Sequence, residues 1–268
     1  MTQRETDDEF YASISVQRRD RSDKVSEKLA RRILRDIVTR GLAPGTMLPS
    51  EALMLRRYKV GRASLREGLR TLEVYGLIWI KPGPGGGPVV ADVSSMDFAR
   101  SATFFYHAVG ATLNELVEAR MHLEPLMARL AAERLTDEGV EALEYAMARE
   151  KVSLDTQGPP GGTHSLPEDD TVDWWPALFH RIVSGMSGNR VMSIFGQSVV
   201  DIYVERISMV SAVDRRPQIH AAHQGIGTAI LKGQAQKAER LMRAHLEEIA
   251  ATFTDRFPGL ADEIIDWR

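Results

Sequence analysis

Apolar residues recur at helical spacing from the start of the ordered pattern. Val25, Leu29, Ile33, Ile37 and Val38 fall on one face of a helix opening near Lys24, with Arg31, Arg32 and Arg35 on the other. Gly41 stops that helix and Pro44-Gly45 forms a turn, because proline fixes one dihedral and glycine accepts conformations that other residues avoid. Pro49-Ser50-Glu51 restarts the chain as a short second helix ending around Tyr58. There Ser50 is placed to accept a hydrogen bond from an orphan N–H, and Glu51 sits near the positive end of the helix dipole. A third helix, from about Arg62 to Tyr75, sets Leu65, Leu69 and Leu72 on a buried stripe, while Arg62, Arg66 and Arg70 recur every fourth residue beside it. Leu77 to Ile80 reads as a strand, Lys81 to Pro88 as a tight glycine- and proline-rich turn, and Val89-Val90 as the returning strand.

Beyond Asp92 the pattern is helical, with no convincing strand. Leu113, Leu116, Val117, Leu123, Met127, Leu130 and Ala131 trace one stripe, and Ile226, Ile230, Leu241, Met242, Ile249 and Phe253 another. Further helical segments are expected around 138–152, 176–187 and 190–212. The expected fold class is therefore mostly α: a winged helix-turn-helix with a small β-hairpin wing, followed by an all-α helical bundle. Residues 1–21 are expected to form a flexible N-terminal arm, 22–92 the winged helix-turn-helix, and 93–268 the bundle. The Pro-, Gly-, Thr- and Asp-rich stretch at about 155–173 reads as an irregular loop within that bundle.

Charge separates the two parts. Residues 21–90 hold 14 Lys and Arg against 6 Asp and Glu, in a chain whose overall balance is 34 against 37. A basic module joined to an acidic one suits nucleic-acid binding by the first and another task for the second. With 0 cysteines there is neither a disulfide framework nor thiol chemistry. No apolar run approaches the roughly 20 residues of a membrane span, and the acidic start lacks a secretory core. A cytoplasmic location and no membrane partner are expected.

A helix carrying Arg62, Arg66 and Arg70 can offer paired donors to guanine edges or phosphates in a major groove. A solvated basic face would look the same in sequence. The glycines at the wing tip let backbone N–H groups approach a phosphate, because no side chain intervenes. They do not make a nucleotide P-loop, since Gly87 is followed by proline and a strand rather than by Lys-Ser/Thr and a helix. In these residues the stretch of about 22–92 resembles the DNA-binding domain of the GntR family of bacterial transcription regulators. The matching residues are Leu48-Pro49-Ser50-Glu51, Val60, Arg62, Leu65-Arg66-Glu67, Leu69, Leu72, Gly76-Leu77-Ile78 and the wing glycines. The resemblance implies operator contacts by Arg62, Arg66 and the tip near Gly85. The full set of candidate DNA contacts is Arg31, Arg32, Ser50, Arg56, Lys59, Arg62, Ser64, Arg66, Arg70 and Gly85. Gly61 and Ala52 depart from the family pattern, where a small hydroxyl residue and an arginine are usual.

Three histidines stand on or beside core-facing stripes of different helices: His180 three residues before Val183, His223 three before Ile226, and His245 between Leu241 and Ile249. Taken singly, such a histidine is usually a satisfied core side chain. Several imidazoles buried together need partners for every ring nitrogen, and a divalent metal is one shared partner. Over about 113–253 the chain resembles, more loosely, the FCD ligand-binding domain of the FadR branch of that family. The signals are Glu118-Ala119-Arg120, Leu123-Glu124-Pro125, Ala131-Ala132-Glu133-Arg134, Phe179-His180, Ser187-Gly188-Asn189, His223 with Ile226, and His245-Leu246. The resemblance implies that His180, His223 and His245 bind a divalent metal with an aspartate four residues before the first of them. That position is Pro176 here. The remaining neutral set suits zinc or nickel, with Asp173 as the alternative carboxylate ligand. Arg120 and Asn189 match the effector pocket by the same resemblance. Arg120 would offer a carboxylate a fork of donors, or else form a buried ion pair.

The function expected from these readings is a DNA-binding transcription regulator, a homodimer on a palindromic operator and a repressor rather than an enzyme. A small carboxylate or acyl effector in the bundle, held in part through the metal, would control its affinity. Two alternatives remain at this level: a metal-independent regulator with a larger apolar effector such as an acyl-CoA or fatty acid, and a bundle that serves only as a dimerisation platform. An enzymatic metal centre is the weakest reading, since no general base or nucleophile motif accompanies the histidines.

Overall fold

The computed structural model describes residues 25–155, 175–207, 216–256 and 258–266. The expected N-terminal arm lies outside these residues, as does the expected irregular loop apart from residue 155, which closes a helix. The chain divides into two compact units between Val93 and Ser94.

In the first unit, α1 (Val25–Thr39), α2 (Glu51–Tyr58) and α3 (Arg62–Val74) pack around Leu29, Ile33, Met54, Leu65, Leu72 and Ile78, all at most 2% exposed. Val25 and Val38 leave the expected stripe and are 62% and 69% exposed. Val25 is the first residue of α1, one turn ahead of the core, and Val38 is rotated about 100° from Ile37. Strands β1 (Ile78–Lys81) and β2 (Gly87–Val90) pair antiparallel in the register Ile78↔Val90 to Lys81↔Gly87. A third extended segment, not foreseen, lies against β2: Gly45 N donates to Val90 O at 2.8 Å, and Leu48 N to Pro88 O at 2.8 Å. The hairpin turn depends on Gly86, where a Cβ would stand 2.1 Å from the Lys81 carbonyl oxygen.

The second unit holds α4 (Ser95–Ala108), α5 (Leu113–Glu133), α6 (Asp137–Asp155), α7 (Trp175–Gly185), α8 (Arg190–Ile207), α9 (Arg216–Leu231), α10 (Ala235–Arg256) and α11 (Pro258–Ala261). Reciprocal capping boxes, Ser94 with Asp97 and Thr112 with Glu115, start α4 and α5. Helix α5 is the hub, packing against α7, α8, α9 and α10. One apolar cluster gathers Leu116, Val200 and Ile202, and a second gathers Phe179, Ile226, Ile230 and Met242. The segment after α11 returns to the start of α5, where Leu113 N donates to Glu263 O at 3.0 Å and Ile265 N to Ala111 O at 2.9 Å. Among the described residues no helix is long and apolar enough to cross a membrane.

Candidate functional site

On the winged unit Arg31, Arg32, Arg56, Lys59, Arg62, Arg66, Arg70 and Gly85 are exposed, and Ser64 is half-buried. The Arg66 guanidinium stays loosely held, its Nε 3.7 Å from Glu51 Oε1 with both side chains well exposed. Ser50 occupies the N-cap of α2 but its hydroxyl makes no cap hydrogen bond, contrary to expectation. It is exposed, so the hydroxyl faces solvent beside the first turn. Gly61 is the N-cap of α3 and offers no side chain, so the first N–H groups of the arginine-bearing helix have no side-chain cap. Lys59, between the two helices, adopts the left-handed conformation at φ 53°.

Sequence reasoning passed over a polar cluster on the same unit. Asp36 Oδ2 accepts from Arg57 Nη2 and from the Tyr58 hydroxyl, each at 2.8 Å. The Tyr58 hydroxyl bond is the main cause holding the Asp36 carboxyl below its ordinary range, opposed by burial and helped by Arg57. With Arg32 and Arg35 these residues line a cavity of about 310 Å³, and the Arg32 guanidinium stands 5.4 Å from the Tyr58 ring centre.

The second site is built by the bundle. His180 on α7, His223 on α9 and His245 on α10 are 4%, 0% and 4% exposed, and one ring nitrogen from each lies within 4.8 Å of the others. His223 Nε2 faces His245 Nε2 at 3.0 Å. The His223 ring stacks on Phe179, centroids 4.1 Å apart and planes 11° off parallel, which fixes its plane. Burial, reinforced by the neighbouring histidines and Arg120, drives its pKa well below the ordinary value. The ring is therefore neutral at physiological pH, the form that gives a lone pair to a metal.

Two buried carboxylates stand behind these rings. His180 Nδ1 lies against Glu124 Oε2, and neither atom has another polar partner among the described residues. Glu124 Oε1 accepts from Arg120 Nε at 2.5 Å, and the Arg120 guanidinium sits 4.0 Å from the Tyr203 ring centre. Burial pushes the Glu124 carboxyl up, but Arg120 and His180 outweigh it and bring it down to about 2. Glu150 Oε1 lies 2.5 Å from His223 Nδ1, and its Oε2 lies 3.3 Å from His220 Nδ1. Burial lifts the Glu150 carboxyl to about 9.

The three imidazoles fit a divalent ion. Nitrogen ligands of a tetrahedral site stand roughly 3.3 Å apart, close to the spacing of the nearest pair here, and two of the rings carry a carboxylate at the nitrogen turned away from the cluster. Position 176 falls in the first turn of α7, and Asp173 lies outside the described residues. Arg120, 3% exposed, makes the buried ion pair foreseen as one of its two roles. Asn189 is exposed and not part of the cluster: its Oδ1 caps α8 by accepting from Val191 N at 3.0 Å and Met192 N at 3.2 Å.

Glu150 and Asp201 are the buried acids that sequence reasoning missed. Glu150 falls on the stripe Leu143, Ala146, Glu150, all 0% exposed, so its helical position was a usable signal. Asp201 sits within the apolar run Val199 to Val204 and accepts from Ser95 Oγ at 2.7 Å and from Arg181 Nε at 2.5 Å.

Comparison with known proteins agrees with this division. Residues 25–86 match the family described as bacterial regulatory proteins, gntR family, and residues 115–248 match the FCD domain. The chain is similar to the HTH-type transcriptional repressor NanR of Enterobacter sp. (strain 638), 28% identical over 242 residues that cover 87% of this chain and 85% of the relative. The repressor of the same name from Escherichia coli (strain K12) is 27% identical over 240 residues, covering 86% and 84%. Among solved structures, Streptococcus agalactiae GntR shares the fold, with a TM-score of 0.62 at 23% identity, covering 84% of this chain and 99% of that one.

Proposed function

The chain belongs to the GntR family of bacterial regulatory proteins and carries its FCD domain, so it is a DNA-binding transcription regulator and not an enzyme; from that premise we propose that it is a dimeric repressor whose operator affinity is set by a small carboxylate or acyl effector bound beside a divalent metal, zinc or nickel, in the bundle. The observation that carries this reading is the buried convergence of His180, His223 and His245 with Glu124 and Glu150 at their outer nitrogens.

On the DNA side, Arg62, Arg66 and Arg70 on α3 enter the major groove. Ser50, Arg56, Lys59, Ser64, Arg31, Arg32 and the wing tip at Gly85 fix register on phosphates. The uncapped start of α3 at Gly61 adds backbone N–H groups to that set. On the sensor side, the metal supplies a Lewis-acidic position for an effector oxygen. The protein holds three ring nitrogens towards it and excludes water with Phe179 and the apolar residues packed around it. Homodimerisation is supported by exposed apolar residues on α4, at its C-cap and on α8: Phe98, Phe105, Val109, Val191, Ile194 and Phe195. The Phe98 and Phe195 rings are 6.4 Å apart, so the two helices present one apolar surface, which a second copy covers.

The test is anisotropy titration of a duplex selected from a random library, with metal-free and zinc-loaded protein and a panel of small carboxylates. Affinity should change with an effector only in the loaded form. An affinity indifferent to metal and to every carboxylate overturns the sensor reading and leaves DNA binding in place.

A further inference from the structure

A dication held by His180, His223 and His245 would stand among three neutral donors, each at most 4% exposed. Buried charge is tolerated only where it is paired. The carboxylate behind His180 is already matched: Glu124 and Arg120 form a buried pair that adds no net charge. Glu150 is different. It comes from α6, its carboxyl is fully buried, and its partners are the imidazoles of His223 and His220, with no Lys or Arg among them in the described residues, so burial raises its pKa in the metal-free protein.

The orientation of His223 makes this relationship specific. Its Nε2 faces the cluster, 3.0 Å from His245 Nε2. A ring that gives Nε2 to a metal keeps its proton on Nδ1, and the atom facing Nδ1 at 2.5 Å is Glu150 Oε1. We propose that Glu150 is the positioning carboxyl group of the metal centre: its Oε1 accepts the Nδ1–H of His223 and fixes that ring towards the other two. This rests on the metal reading given above. His220 holds the second oxygen at 3.3 Å and thereby sets the orientation of the carboxylate.

The experiment uses the full chain stripped of metal. Zinc affinity is read by competition with a chromophoric chelator, and coordination by the visible spectrum of the cobalt-substituted protein. Glu150→Leu should bind zinc about 10–100-fold more weakly, the usual effect of losing an outer-sphere partner, with a changed cobalt spectrum. Glu150→Gln, which keeps the shape but puts an amide in place of the carboxyl, should also bind more weakly, and carries the test if the leucine variant does not fold. Glu144→Gln, at an exposed position of the same helix, should leave both readouts unchanged. Unaltered zinc affinity and cobalt spectrum in Glu150→Gln, while His223→Ala loses both, would overturn the proposal and leave the metal centre standing. Failure of the unsubstituted chain to bind zinc or cobalt overturns the metal reading itself and this proposal with it.

Discussion

Ser95 Oγ donates a 2.7 Å hydrogen bond to Asp201 Oδ2, tying the first residue of α4 to the buried middle of α8. The other oxygen of Asp201 holds Arg181, the neighbour of His180 on α7. One carboxylate thus joins the helix that carries a cluster histidine to the helix that begins the second unit. Asp201→Asn should cost about 1–3 kcal/mol of stability, the usual cost of spoiling a buried hydrogen-bonded group. It should also reduce the change in operator affinity that an effector produces, measured as the ratio of Kd with and without it. An unchanged ratio in a folded Asp201→Asn protein refutes the coupling.

Arg66→Ala should weaken operator binding by about 1–3 kcal/mol if the side chain reads a base edge. Its pairing with Glu51 is long and exposed, so stability should barely change. Arg31→Ala and Arg32→Ala should do less, and equal small losses at all three would indicate binding through phosphate charge alone.

Lys59 separates stability from recognition. Its left-handed backbone costs an L-residue roughly 1–2 kcal/mol, partly offset by the greater unfolded freedom of glycine. Lys59→Gly should raise stability by about 0.5–1 kcal/mol. It should also lower DNA affinity and reduce the slope of log affinity against log salt by about 0.9, the loss of one phosphate contact. An unchanged slope removes Lys59 from the DNA surface.

The wing can be disabled alone. A methyl group at position 86 would meet the Lys81 carbonyl oxygen, so Gly86→Ala should distort the hairpin turn and cut DNA affinity roughly tenfold, about 1.4 kcal/mol. Helix content by circular dichroism should stay the same. Wild-type affinity in this variant would show that the tip does not touch the operator.

Acid should loosen the winged unit through Asp36. Its carboxyl is held low chiefly by Tyr58, against the opposing effect of burial and with help from Arg57. A depressed folded pKa stabilises above the ordinary aspartate value of 3.8, and that contribution is lost as pH falls through the folded pKa. Wild type should therefore exceed Asp36→Asn in urea stability at pH 6, and the difference should vanish in strong acid. A difference that persists in strong acid would assign the effect to packing.

The parts legible in the sequence were those governed by local rules. Leu29, Ile33 and Ile37 fixed the face of α1, the glycines and prolines of 82–88 fixed the turn, and three histidines beside apolar stripes marked a shared interior. What stayed hidden depends on distant chain segments. The contact of residues 45–48 with β2 is a long-range pairing with no local signature. Glu150 reads as an ordinary charged helix residue until the stripe through Leu143 and Ala146 is followed to it. Asn189 offered an amide to an effector pocket by resemblance, whereas its sequence position before α8 is that of a helix cap.

Among the described residues, the apolar cluster around Leu29, Ile33 and Leu65 draws only on the first unit, and those around Val200 and Ile226 only on the second. Two separate cores predict two cooperative units in calorimetry rather than a single melting temperature. Heating should give two transitions. A small molecule bound among the histidines should lift one, and duplex DNA should lift the other. A screen that follows only the average signal would blur the two.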